Sequence, residues 1–218
     1  MKSKTSKIIS VLLWLISLVL AVLIVLQLYK YFSSPEPPGI KTNIKKHEND
    51  IIWGSASAPV TIYVYSSYTC KYCTLFFEEV FPEIKENFIE PGHVELVLKL
   101  VEIPENPKIM RALQAVICVN KFGKLDKLHE LLLYNSNVVF SNEFELLIDD
   151  YINSNPDIGN CLVNHGNYEY IRNNNKEFKE NQFSGTPTFI IENKVYSGFR
   201  SYEKFEEIFQ NAIEDATN

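Results

Sequence analysis

The sequence predicts an α/β domain in which a strand, a helix and a second strand are followed by a long helical block, then by a hairpin and a last helix. Three observations predict it. Val60, Thr61, Ile62, Tyr63, Val64 and Tyr65 form a β-branched and aromatic run suited to a buried strand. From Cys70 or Lys71 to Asn87, apolar Leu75, Phe76, Val80, Phe81 and Ile84 recur at helical spacing. Between 105 and 182 the apolar residues recur at three and four, while strand signals return only at Thr188.

At the N-terminus, Lys2, Lys4 and Lys7 precede 8–28, a stretch that is apolar except for Ser10, Ser17 and Gln27. At about 1.5 Å rise per residue such a stretch crosses a hydrocarbon core of roughly 30 Å. No small-residue cleavage site follows Val25, Leu26, Gln27 and Leu28, so residues 1–28 read as a cytoplasmic N-terminus and an uncleaved signal-anchor transmembrane helix. A cleaved signal and a free periplasmic domain is the alternative. So short an N-terminus stays inside, which expects a single-pass inner-membrane protein with its domain on the extracytoplasmic face. Cysteines there meet an oxidising compartment.

Residues 29–50, polar and broken by Pro35, Pro37, Pro38 and Gly39, read as a linker. Ile51 to Gly54 is an edge strand, Pro82 should kink the helix that contains it, and Val94 to Val101 is the second core strand, parallel to the first. The block 105–182 is an all-helical insertion of four or five helices, carrying Ile109, Leu113, Val116 and Ile117, then Leu125, Leu128, Leu131 and Leu132, then Phe144, Leu147, Ile148 and Tyr151. Its Asn173, Asn174 and Asn175 read as compositional bias without mechanistic weight. Thr188 to Ile191 and Lys194 to Tyr196 form a hairpin turned at Glu192 and Asn193. Ser201 caps a final helix to Asp215. The α/β core is thus 51–104 together with 183–218.

Hydrophobic residues are 46% and charged residues 22%, a globular balance, and the net charge of −6 leaves no basic surface for nucleic acid. The chemistry concentrates in Cys70, Lys71, Tyr72 and Cys73 at the junction of strand and helix. Structural zinc would need two further ligands, and Cys118, Cys161, His47, His93, His129 and His165 show no ligand spacing. No metal site or cofactor is expected. A permanent disulfide is the second alternative, but so short a loop suits a bond that is opened again. In a redox pair, Cys70 is the nucleophile, its thiolate favoured by the helix N-terminus and by Lys71. Cys73, one turn on, is the resolving thiol. A dithiol that carries Cu(I) is a rival, although Met1 and Met110 are the only methionines and no histidine adjoins the pair.

Far along the chain, Gly185, Thr186, Pro187 and Thr188 place a proline at the start of a strand. Together with Ala58-Pro59-Val60, with 67–73 (Ser67, Tyr68, Thr69, Cys70, Lys71, Tyr72, Cys73) and with the helical block after the second strand, they make the chain resemble the DsbA-like thiol-disulfide oxidoreductases of the thioredoxin superfamily over about residues 51–215. The resemblance implies a thioredoxin fold with an inserted helical subdomain. It also implies that Pro187 is a cis-proline beside the active-site disulfide and that Thr186 offers its backbone to an extended substrate. Further, it implies an oxidase of reduced or unfolded exported proteins, recharged by a membrane quinone-linked thiol oxidase. Isomerase or reductase is the nearest alternative. Lys71 and Tyr72, which tune the potential, differ from the Pro-His of strong oxidases. Many relatives carry a buried acidic residue six positions before the nucleophile, where this chain has Val64, so proton handling falls to water, Tyr63, Tyr65 or Glu192. Cys118 and Cys161 are either buried free thiols or, as in some relatives, a second disulfide, whose loop of roughly 40 residues would contribute about 3–4 kcal/mol.

Overall fold

The computed structural model describes residues 2–32, 38–41, 43–164 and 166–217. The chain divides into two units, Met1–Pro37 and Pro38–Asn218. In the first, α1 spans Lys2–Phe32, and Leu12, Trp14, Val19 and Val25 are exposed on it. Among the described residues no helix is long and apolar enough to cross a membrane. The transmembrane segment expected at 8–28 extends past the side chains described in this helix, which are those of 12–27.

In the second unit, β1 (Ile51–Trp53), β2 (Val60–Ser66), β3 (Val94–Leu100), β4 (Thr188–Ile191) and β5 (Lys194–Ser197) form one sheet in the order β1-β3-β2-β4-β5. β2 and β3 are parallel, as their helical connection requires, and every other pair is antiparallel. Glu192 and Asn193 both have positive φ, 49° and 62°, the geometry of a two-residue turn that follows strand twist.

The helix after β2 is continuous over 71–89 but changes pitch. α2 (Lys71–Leu75) opens into a wide π turn at Phe76–Val80, tightens as α3 (Phe81–Ile84) and widens again at Lys85–Ile89. Pro82 has no N–H to return to the carbonyl four residues back. The helix absorbs this by widening: the Phe81 N–H bonds to Phe76 O, five residues back.

The helical block comprises α4 (Pro107–Phe122), α5 (Asp126–Tyr134), a 3-10 turn at Ser136–Phe140, α6 (Asn142–Ser154), α7 (Pro156–Leu162) and α8 (Gly166–Glu180). Asn106 starts α4 by accepting hydrogen bonds from the N–H groups of Lys108 and Ile109, with Pro107 in the first turn. Cys118 on α4 and Cys161 on α7 are joined in a disulfide across 43 residues.

Two apolar faces of the sheet must be covered, and this moves two of the expected boundaries. On one face, Ile62, Val64, Leu96, Leu98 and Phe189 pack with Phe76 of the 71–89 helix and with Phe205 and Phe209 of α9 (Tyr202–Thr217). On the other, Tyr65, Val101, Ile190 and Val195 meet Phe178 and Phe183, and also Ile44. Thus α8, expected inside the 105–182 insertion, is a layer of the core. The linker expected at 29–50 ends earlier too: Val195 N bonds to Pro38 O at 2.8 Å and Ile40 N to Asn193 O at 3.0 Å. Within that linker, 33–37 and 42 lie outside the described residues.

A buried ionic cluster holds this second face. The Lys99 ammonium lies 3.5 Å from Asp50 and 3.7 Å from Glu177. The Tyr170 hydroxyl donates to Asp50 and that of Tyr65 to Glu177. One cation thus serves two carboxylates from two covering segments, and its removal leaves both without a counter-charge. Lys99→Ala should cost about 3–5 kcal/mol of stability, read as a lower denaturant midpoint at unchanged slope.

Candidate active site

Strand register gathers the reactive residues. Tyr65 stands opposite Thr188, and Ser66 opposite Leu100. The end of β2, the start of β4 and the end of β3 therefore lie side by side. Out of them come the loop carrying Cys70, the loop carrying Thr186 and Pro187, and the segment carrying Glu102.

Cys70 and Cys73 are free thiols here, Cys70 half-buried and Cys73 fully buried. Cys70 is the N-cap residue of α2, with extended backbone, and its carbonyl accepts from the N–H groups of Cys73 (2.9 Å) and Thr74 (3.1 Å). Its sulfur lies 3.1 Å from the Thr186 carbonyl oxygen, to which Cys70 donates only when protonated. The Thr186–Pro187 peptide bond is cis.

The two sulfurs are driven apart electrostatically. The Cys70 thiol is pushed down to about 5, first by a hydrogen bond from Cys73, against the cost of burial, and then by the Thr186 side chain and the backbone N–H groups of Cys73 and Tyr72. Burial, followed by that same hydrogen bond, pushes the Cys73 thiol up. Such an arrangement holds one thiolate and one thiol. Lys71 is exposed and supplies none of these hydrogen bonds, so the lowering comes from donors rather than from its charge. Tyr72 stands out into solvent at 58% exposure.

None of the three side chains considered for proton handling lies beneath the pair. Val64 is fully buried in the apolar face under the helix. Tyr63 and Tyr65 belong to the opposite face, because side chains alternate along β2. Glu192 turns the hairpin beyond Ile191, which pairs with Ile62 at the other end of the sheet.

Instead a carboxyl group arrives from β3. Glu102 is 8% exposed, and its Oε2 accepts from Ser67 Oγ (3.2 Å) and Thr69 Oγ1 (3.4 Å). Asn175 on α8 clamps its backbone from both sides: Glu102 N donates to Asn175 Oδ1, and Asn175 Nδ2 donates to Glu102 O, each at 2.9 Å. Next to it, Asn174 Nδ2 reaches Leu100 O at 3.1 Å. The asparagine run first read as compositional bias therefore fixes the end of β3. Its signal was present in the sequence, as amides on the apolar side of a helix.

From the other side, α5 braces the cysteine loop. Tyr68 Oη and His129 Nδ1 are 2.7 Å apart, and Thr74 Oγ1 donates to Leu133 O at 3.1 Å. Burial holds the His129 imidazole down to about 4, hence neutral. Among the described residues no group of His, Cys, Asp and Glu side chains could hold a metal ion. His165 lies outside the described residues. A groove of about 380 Å³ opens beside Cys70, lined by Ser67, Thr69, Glu102, Phe183 and Thr186 among others.

Comparison with known proteins places this geometry. The sequence pattern of the family described as Thioredoxin matches residues 46–211. A Rickettsia conorii protein whose name reads protein-disulfide oxidoreductase is 26% identical over 84% of this chain and 67% of its own length. Among solved structures, Wolbachia pipientis α-DsbA1 superposes with a TM-score of 0.64 at 19% identity, covering 80% of this chain and 96% of that one. Oxidised Bacillus subtilis BdbD gives 0.60 at 18%, covering 83% and 100%. These two likenesses show the fold.

The leading cause of the low Cys70 value is a donor that mutation can remove. In Cys73→Ala the Cys70 midpoint should rise above about 5, whereas Lys71→Ala should leave it nearly in place. Ultraviolet titration of the thiolate reads both.

Proposed function

The chain belongs to the thioredoxin family and is a thiol-disulfide oxidoreductase; we propose that it acts as an oxidase that introduces disulfides into exported proteins. One observation carries this reading: Cys70 is half-buried at the head of α2, where hydrogen bonds favour its thiolate, beside a fully buried Cys73. A stabilised thiolate favours the reduced enzyme, and an enzyme that prefers to be reduced takes electrons from its substrates.

In the forward reaction a substrate thiolate attacks Cys70 Sγ of the oxidised enzyme and the Cys70–Cys73 bond breaks. The electron pair leaves on Cys73, which takes a proton. A second substrate thiolate then attacks the substrate sulfur of the mixed disulfide, expelling Cys70 as its thiolate. The substrate has lost two electrons and the enzyme holds them as a dithiol. Thr186, whose carbonyl stands beside Cys70 Sγ, is placed to pair with the backbone of an extended substrate.

Anchoring and recharging belong to the same reading. Lys2, Lys4 and Lys7 followed by the apolar stretch 8–28, with side chains such as Leu12, Trp14 and Val25 exposed, support a membrane anchor with the domain on the extracytoplasmic side. A membrane quinone-linked thiol oxidase is the reoxidant that suits an anchored domain.

Equilibration with glutathione should give a potential above roughly −200 mV; a value near −270 mV would make the protein a reductase. Stability supplies an independent check with a definite sign. Folding lowers the Cys70 value of the reduced protein from an ordinary 9.0 to about 5, while Cys73 stays protonated over that range. The Cys70 contribution is therefore complete by about pH 9, and it is lost as pH falls through about 5. Thermal melts should show the reduced form gaining on the oxidised form as pH rises through this window. A gap that did not change with pH would remove the basis for the oxidase assignment.

A further inference from the structure

Glu102 is a carboxyl group that the exchange between Cys70 and Cys73 leaves unused, although it lines the groove that opens onto Cys70. Its position is built rather than incidental. The buried amide of Asn175 fixes its backbone, and two hydroxyls from the turn just before Cys70 fix one carboxyl oxygen. The other oxygen, Oε1, takes no hydrogen bond from any described residue. One hydrogen-bonding site on an otherwise satisfied carboxylate thus remains for something that enters the groove.

The substrate that must enter is a thiol. An unperturbed cysteine is mostly protonated at neutral pH, and only its thiolate attacks a disulfide. The groove walls near Cys70 include the apolar side chains of Val101, Ile103 and Phe183, so Glu102 is the carboxylate that an entering thiol meets there. We propose that Glu102 is the general base that deprotonates the incoming substrate thiol. The substrate S–H gives its proton to Oε1, and the thiolate so formed attacks Cys70 Sγ. The Cys70–Cys73 bond breaks, its electron pair leaves on Cys73, and Cys73 takes a proton from solvent. Glu102 returns its own proton to solvent before the next thiol arrives.

The surroundings suit a base of this kind. Burial raises the Glu102 carboxyl and so brings it closer to a thiol in basicity, while Ser67 and Thr69 pull the other way and favour the ionised form. Charged groups near it are few. Lys179 of α8 lines the same groove, the Cys70 sulfur lies at its edge, and Glu105, which shares the Asn175 amide, is paired with Arg172.

The inference rests on the oxidoreductase reading, and one experiment separates the two. The oxidised protein, as wild type, Glu102→Gln and Glu102→Asp, is mixed near neutral pH with thiophenol, which is largely ionised there, and with mercaptoethanol, which is almost wholly protonated. The quantity read is the ratio of the two rate constants for reduction of the Cys70–Cys73 disulfide. Removing a general base slows only the thiol that still carries its proton. Glu102→Gln should therefore lower the mercaptoethanol rate relative to thiophenol by about tenfold or more, with Glu102→Asp in between. A ratio equal to that of wild type, with both rates slowed alike or neither slowed, overturns the role. Should the Gln variant fail to fold, the Asp ratio decides by the same criterion. If wild type reacts with neither thiol, the oxidoreductase reading itself falls.

Discussion

β2 is paired on both sides so that Ser66 meets Leu100 of β3 and Tyr65 meets Thr188 of β4, and the three chain segments beyond those pairs converge on a single sulfur. A slip of one residue in either ladder would exchange the faces of every side chain in the strand. Val64 would leave the apolar side under the 71–89 helix, and Tyr65 would lose the carboxylate of Glu177. Burial on both faces excludes that slip. The apolar face demands Ile62 and Val64, while the opposite face demands the hydroxyl that the Lys99 cluster uses. Reactivity at Cys70 is thus secured by residues that never touch a substrate.

Within that frame the two sulfurs are unlike because one is only half-buried among donors and the other is fully buried. Cys70 stands where the helix begins, and its thiolate can accept from the backbone N–H groups of Tyr72 and Cys73 in the first turn. Cys73 is one turn inside and fully buried, and the cost of placing a charge there outweighs the help that the Ser66 side chain and the Ser67 N–H would give it. Its proton therefore stays in place and becomes the strongest support of its neighbour's negative charge. The asymmetry needs no cation, which is why an exposed Lys71 is compatible with it.

Much of this was legible in sequence, and the exceptions share a cause. The strands, the helical block, the hairpin turn and the cysteine pair announce themselves through periodicity or spacing, both of which are local. Pro82 announced a disturbance, but whether a helix bends or widens depends on what packs against it. The sheet's second face was harder to foresee. α8 and the segment around Ile44 cover it because an apolar surface had to be covered, and nothing local marks which distant segment will do so. Polar residues were hardest. Glu102, Asn174 and Asn175 look like solvated residues until β3 and α8 come together and their hydrogen bonds close.

The helical block has a bearing on the site that its distance from Cys70 in sequence conceals. Its α8 end holds Glu102 through Asn175, and its α5 holds Tyr68 and Thr74 through His129 and Leu133. The cysteine loop is therefore braced from both sides by one helical block. The Cys118–Cys161 disulfide closes a loop of that segment across 43 residues, which limits how far α4 and α7 can separate in any partly opened state. Asn167 at the start of α8 donates to both sulfurs of this disulfide, at 3.4 and 3.3 Å. The covalent link thus bears on the same helix that positions the groove's carboxylate, so α8 connects the disulfide of the helical block to the site at Cys70.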